Sequence, residues 1–127
     1  MGEMMDRLVE LGRVKAEDRD ELVVAVMERE DQIGTGVGNG VAIPHARIDG
    51  LEKAVAIFGR SIPGVNFQSQ DDSLAHCIYL LLTPAEQAGQ HLQTLADLAR
   101  VFGDCRIRED VLAAETAEDV AARLASA

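Results

Sequence analysis

The chain has 127 residues, with 22 acidic and 12 Lys or Arg side chains, so its formal net charge is −10. That sign opposes docking on nucleic-acid phosphates or anionic lipid, and with aromatics at 3% and no tryptophan there is little for bases to stack on. At 47% hydrophobic, the composition predicts one globular domain over residues 1–127, with a core of Leu, Val, Ile and Ala.

The opening stretch MGEMMDRLVELG is acidic and amphipathic, unlike a secretory signal. Met4, Met5, Leu8 and Leu11 recur at helical spacing, and Gly12 follows as a stop. A second helix is expected over 17–29, with Leu22, Val23, Val26 and Met27 as its apolar stripe and acidic residues at its positive end. Then come four glycines at alternate positions: Gly34, Gly36, Gly38 and Gly40. In an extended segment they share one face, which suits a close approach of something to the backbone. VAIP reads as a short buried strand that stops at Pro44.

KAVAIFGRS (53–61) reads as a strand ended by Pro63 and Gly64, and LAHCIYLLLTP (74–84) as a strand buried on both faces. Thr83, Pro84 and Glu86 look like a helix cap, a first-turn proline and a capping-box acid. The long helix that follows carries Leu92, Leu95, Leu98, Ala99 and Phe102 on one stripe. Two shorter helices are expected, one over 106–114 and one from Thr116, with Asp119 completing its capping box. Strands alternating with helices predict an α/β domain with a mixed sheet. The longest apolar run, 77–82, is far short of the ~20 residues of a membrane span, so no membrane insertion is expected, and the inferred location is cytoplasmic.

Among chemical candidates, His45 comes first. Pro44 fixes its own φ and restricts Ile43, so the backbone entering His45 is stiff, and Val41 and Ile43 anchor it in the core. An imidazole held this way is well placed as a nucleophile. The residues alone leave it equally readable as a surface histidine after a strand. The glycines match neither the phosphate-loop nor the dinucleotide pattern. His91 borders the apolar face of the long helix and reads on its own as a half-buried, locally satisfied histidine. His76 reads as a structural strand residue. No metal-ligand spacing joins it to Cys77, so neither a metal nor a cofactor is expected. Cys77 and Cys105 read as reduced thiols. Arg29 suits a helix C-terminus, and Arg47 and Arg60 are equally readable as solvated charges.

The segment REDQIGTGVGNGVAIPHAR, followed at a distance by LLLTPAEQAGQHLQTLADLARVF, resembles the IIA components of the bacterial phosphoenolpyruvate-dependent sugar phosphotransferase system, in the fructose/mannitol/nitrogen-regulatory class. The resemblance runs from about Met4 to the C-terminus and is nearer the nitrogen-regulatory and fructose types. It implies an α/β fold with a mixed, mostly parallel sheet flanked by helices on both faces, as in mannitol and fructose IIA domains, here without the usual N-terminal strand. It implies that His45 carries a phosphoryl group, that His91 lies beside it and supports the phosphate, and that Arg29 sits nearby. The implied donor is the phosphocarrier HPr or a nitrogen-pathway relative. The implied acceptor is a IIB component in sugar uptake, or the phosphorylation state acts on regulatory target proteins instead. Ala46 stands where the family prefers glycine, and DDSLAH (71–76) where it often has Asp-Gly-x-Pro-Val; these departures also admit a domain that keeps the fold but takes no phosphate. For a carrier, an unprotonated His45 is expected, its second ring nitrogen tied to a backbone carbonyl, with Arg29, His91 and glycine-ladder N–H groups available to a dianion.

Overall fold

A computed structural model describes residues 1–32, 34–67, 69 and 71–127. The elements in chain order are α1 (Gly2–Glu10), a 3-10 turn (Ala16–Asp18), α2 (Arg19–Gln32), β1 (Gly36–Gly38), β2 (Val41–Ala42), β3 (His45–Ile48), β4 (Val55–Val65), β5 (Ala75–Pro84), α3 (Ala88–Phe102), α4 (Cys105–Ala113) and α5 (Ala117–Ala125).

β5 is the spine of the sheet. β2 and β3 lie end to end along one of its edges, both parallel to it, with Val41 opposite Cys77 and His45 opposite Leu81. Between them the Pro44 carbonyl accepts from the Leu81 N–H at 3.0 Å, so the ladder continues across the proline. β4 runs antiparallel along the other edge of β5, and β1 folds back antiparallel on β2. A strand paired on both edges and covered on both faces needs apolar residues at nearly every position. That accounts for the run from Cys77 to Leu82.

Side-chain alternation then sorts the two faces. Leu80, Leu82 and Ala46 point to α1 and α2 and pack with Met5, Leu8, Leu22 and Val26. Cys77, Val41 and Ile43 point the other way and pack with Phe102, Ile107, Val111 and Val120 of α3, α4 and α5. Helices thus cover both faces of a mixed sheet, as expected from the sequence.

Several local expectations need correction. The chain does not leave the sheet at Pro44: proline lacks only the N–H, and its carbonyl still serves β5, so β3 resumes at once. β4 runs through Pro63 and Gly64 to Val65, because a register shift between Arg60 and Val65 absorbs them. Thr83 caps nothing. β5 extends through Pro84, α3 begins at Ala88 behind Gln87, and the Thr83 hydroxyl is bonded elsewhere. Leu92 is 67% exposed and Ala99 is exposed too, so the inward stripe of α3 runs through His91, Leu95, Leu98 and Phe102. Thr116 does cap α5, accepting from the Asp119 N–H at 3.1 Å.

Candidate functional site

The site is built where β3 forms the free edge of the sheet, between the end of α2 and the start of α3. His45 is the first residue of β3. Its predecessor but one, Ile43, is buried and holds the approach: the Ile43 N–H donates to the Thr35 carbonyl at 3.1 Å. The Ile43 carbonyl in turn lies 2.7 Å from His45 Nδ1. A carbonyl only accepts, so Nδ1 carries a proton, and the neutral ring that a nucleophile requires has its lone pair on Nε2. The expected tie to a backbone carbonyl is therefore present, two residues back in the same chain segment.

Thr35 links this approach to α2. Its N–H and hydroxyl both donate to the Glu30 carboxylate, at 2.9 and 2.5 Å. The last turn of α2, which carries Arg29, is thereby tied to the strand that positions His45.

His91 lies in the first turn of α3 and is 7% exposed. Its ring centroid is 5.2 Å from that of His45, with the planes tilted by 55°. Its Nδ1 is 2.6 Å from the Thr83 hydroxyl at the end of β5. Burial pushes the His91 imidazole below its ordinary pKa; a proton on neighbouring His45 would push the same way, as do the Arg47 and Arg29 charges. The ring is therefore held neutral.

A cleft of about 780 Å³ opens over these rings. Arg29 from α2, His45 and Arg47 from β3, and His91 from α3 all line it, with Leu92, Leu95 and Ala88 as its apolar wall. Glu28 and Asp49 also reach it. The structure thus brings His45, His91 and Arg29 into one cleft, from three separate elements. Among the described residues Arg29 and Arg47 make no hydrogen bond or ion pair, so their donors face the cleft unengaged. The Nε2 of His45, the neutral ring of His91 and two guanidiniums form a cradle for a small dianion.

Arg47 and Thr83 were missed by sequence reasoning. Arg47 had a usable signal, since two residues beyond His45 in a strand returns to the same face. That signal was lost when the strand was ended at Pro44. Thr83 was hidden by its likeness to a helix cap. Arg60 is not a solvated charge; its guanidinium caps α4, donating to the Val111 carbonyl at 2.9 Å and to that of Ala114.

The glycine ladder serves the fold rather than the cleft. It folds into a hairpin with Gly38, Asn39 and Gly40 all at positive φ, between 57° and 85°. Phe67, Ser69 and Asp71 fill the space that Gly36 and Gly38 leave, and a Cβ on Gly36 would lie 2.2 Å from Ser69 Oγ. The hairpin's anion is internal. The Asp71 carboxylate accepts from the Asn39 and Ser73 N–H groups, both at 3.0 Å, and these bonds lower its pKa to about 2. The expected contribution of ladder N–H groups to a bound dianion is thus not supported. Asp71 is the aspartate that DDSLAH shares with the family pattern, so this anchor is kept and the departures begin at Asp72. Ala46, the other departure, buries its methyl against Leu80 and Leu82 behind the cleft.

His76 is structural, with Nδ1 2.8 Å from the Ser61 carbonyl on the neighbouring strand. Cys77 and Cys105 are free thiols, the first buried and the second exposed. Among the described residues no three His, Cys, Asp or Glu side chains group to hold a metal, and no helix is long and apolar enough to cross a membrane.

A family model described as phosphoenolpyruvate-dependent sugar phosphotransferase system, EIIA 2, matches residues 2–127. A fructose-specific EIIA component of the phosphotransferase system from Haloferax volcanii is 39% identical over 117 residues, which is 92% of this chain and 75% of that protein. The crystal structure of the nitrogen regulatory protein IIA-Ntr from Neisseria meningitidis superimposes with a TM-score of 0.80 at 36% identity, covering 84% of this chain and 73% of that one. The mannitol IIA enzyme of Escherichia coli, solved in complex with its phosphorylated IIB enzyme, shares the fold at a TM-score of 0.75 and 21% identity, over 99% of this chain and 85% of that one.

Proposed function

Because the chain belongs to the EIIA 2 family of the phosphoenolpyruvate-dependent sugar phosphotransferase system, and so is a phosphoryl-carrying component of that system, we propose that His45 is its carrier residue and Nε2 the atom that takes the phosphoryl group. The observation that carries this reading is the fixed tautomer: Ile43 holds the proton on Nδ1 and leaves the Nε2 lone pair free. Nε2 attacks the phosphorus of a phosphohistidine on the donor. The new N–P bond forms as the donor's N–P bond breaks, and the donor ring departs with its electron pair. Such transfers pass through a loose, in-line transition state, so the site's contribution is positioning and charge stabilisation.

The phosphoryl group brings about two negative charges into a protein that is already acidic. Arg29, Arg47 and the His91 ring offset them locally, while Glu28 and Asp49 at the rim keep the site from binding the dianion too tightly. The group can then leave by the reverse step, to a nucleophile on the next protein.

The donor in this reading is HPr or a nitrogen-pathway relative, and the acceptor is a IIB component in sugar uptake, acting in the cytoplasm. The mannitol IIA–IIB complex of the structural neighbour supports a IIB acceptor, and the fructose-specific relative supports sugar transport. The likeness to nitrogen regulatory IIA supports a second reading, in which the state of His45 controls partner contacts without sugar transport.

Incubation with phosphoenolpyruvate, enzyme I and HPr, read by intact mass, tests the proposal. The wild-type protein gains one phosphoryl group and His45→Ala gains none. A phosphorylated His45→Ala protein overturns the assignment. Onward transfer to a IIB component separates the two readings, since the regulatory one expects none.

A further inference from the structure

Thr83 closes the central strand directly beneath His91. Its hydroxyl is 2.6 Å from His91 Nδ1, and both residues are buried, at 4% and 7% exposure. Among the described residues Nδ1 is the one hydrogen-bond partner of that hydroxyl. A hydroxyl can donate or accept, and the direction decides what the other ring nitrogen offers.

Suppose the ring donates from Nδ1. The hydroxyl proton is then buried with no acceptor, and Nε2 presents a lone pair to an incoming dianion. Suppose instead the hydroxyl donates. Its proton is satisfied, the Nδ1 lone pair is satisfied, and the ring proton must sit on Nε2. Among the described residues Nε2 has no partner, so its proton is available to whatever occupies the cleft. Buried polar groups settle into the arrangement that leaves none unpaired.

We propose that Thr83 is a positioning residue that holds neutral His91 as its Nε2–H tautomer, so that His91 donates a hydrogen bond to a phosphoryl group on His45. This rests on the assignment of His45 as the carrier. The two rings then form a matched pair. The Ile43 carbonyl takes the proton of His45 Nδ1 and frees an electron pair for attack, while the Thr83 hydroxyl donates to His91 Nδ1 and frees a proton for support. A neutral donor also suits a relay, because it stabilises the dianion less than an imidazolium would and so lets it go.

Long-range 1H–15N NMR on the unphosphorylated protein, above the pH at which the ring titrates, reads which nitrogen of His91 is protonated. The wild-type ring should be protonated at Nε2, with the Nδ1 resonance displaced by an accepted hydrogen bond. Thr83→Val keeps the shape and removes the hydroxyl. It should abolish that displacement and slow phosphorylation by phospho-HPr roughly fivefold to tenfold, the worth of about one hydrogen bond. Thr83→Ser should restore both. A wild-type ring protonated at Nδ1, or a Thr83→Val protein that reacts at the wild-type rate, overturns the proposal. Should Thr83→Val fail to fold, the wild-type spectrum and the Thr83→Ser rate still decide it. The tautomer is measured without any phosphorylation, so failure of the His45 assignment, seen by mass, is a separate result.

Discussion

The rings of His45 and His91 face each other at 5.2 Å, and each is held by its Nδ1. One is pinned to the Ile43 carbonyl just before the edge strand β3 and the other to a hydroxyl on the central strand. Both Nε2 atoms are therefore left for chemistry, on rings whose rotation is restrained. Binding each ring at its Nδ1 sets their separation and leaves the Nε2 side of each for a group to arrive and depart.

Replacing His91 should slow the transfer without preventing it. The nucleophile, its carbonyl tie and both arginines remain in His91→Ala, so a phosphoryl group still forms on His45. One supporting hydrogen bond to a charged group is lost, worth about 1.5–3 kcal/mol, which corresponds to roughly tenfold to a hundredfold in rate. Rapid-quench measurement of phosphorylation by phospho-HPr checks this, with His45→Ala as the blank.

Arg29 and Arg47 should act on the reaction more than on the fold. Neither makes a hydrogen bond or ion pair among the described residues, so removing either breaks no internal link. Arg29→Ala should cost only ~0.3–1 kcal/mol of helix-end stabilisation in the last turn of α2. Each single replacement should slow phosphorylation about tenfold, and the double replacement should slow it more, because two cations share one dianion. Thermal melts beside the rate measurements separate the two effects. A large fall in melting temperature with an unchanged rate contradicts the role given to them.

Stability should fall on mild acidification through His91. The folded ring titrates below the ordinary imidazole value of about 6.5, chiefly because it is buried. As pH falls, the unfolded chain takes up this proton before the folded one does. The stability contributed by the neutral ring is therefore complete above about pH 6.5 and is lost as pH falls from there through the folded value. Urea midpoints measured from about pH 7 to pH 5 should drop in the wild type and drop less in His91→Gln. Asp71 acts in a lower window. Its folded pKa is depressed to about 2 by the hairpin N–H groups, so its contribution is present above the ordinary carboxylate range and fades as pH falls toward 2.

How much of this was legible beforehand depended on whether a residue's role was local. The stiff approach to His45 follows from Pro44 and two apolar neighbours, α1 and α2 follow from periodicity to within a few residues, and the start of α5 follows from the Thr116 cap. His91 could be placed on a helix, but nothing in its own segment says that a strand edge lies 5.2 Å away. That pairing depends on β3 lying beside β5, which is long-range register. It entered the sequence reading only through resemblance. The period-2 rule would have added Arg47 had the strand been carried past the proline. Thr83 illustrates the opposite failure: a good local motif, threonine before proline with an acid following, was outweighed by the extra ladder pairs that β5 gains by running on to Pro84. The glycine ladder misled for the same reason, since its facing loop is more than 30 residues away in sequence.

The hairpin offers a test of whether the approach to His45 depends on the packing of Phe67 and Ser69 against it. A Cβ at Gly36 would meet Ser69 Oγ at 2.2 Å, the Phe67 carbonyl at 3.0 Å and Ser69 Cα at 3.1 Å. Two of those atoms are backbone and cannot swing aside, so either the backbone at Phe67 and Ser69 or β1 must move. Gly50 gives the control. Its φ is +80°, yet nothing lies within 4 Å of its would-be Cβ, so alanine there meets strain and no clash. Gly50→Ala should cost about 1–2 kcal/mol, and Gly36→Ala about 1–3 kcal/mol from overpacking. The energies overlap; the rates should not. β1 carries the chain from Thr35, whose carbonyl holds Ile43, and Ile43 fixes the His45 ring. Displacing β1 therefore loosens the nucleophile, whereas Gly50 lies beyond β3. Gly36→Ala should slow phosphorylation by phospho-HPr several-fold more than Gly50→Ala at matched stability. Equal rates would show that His45 is held by Pro44 and the β5 ladder alone.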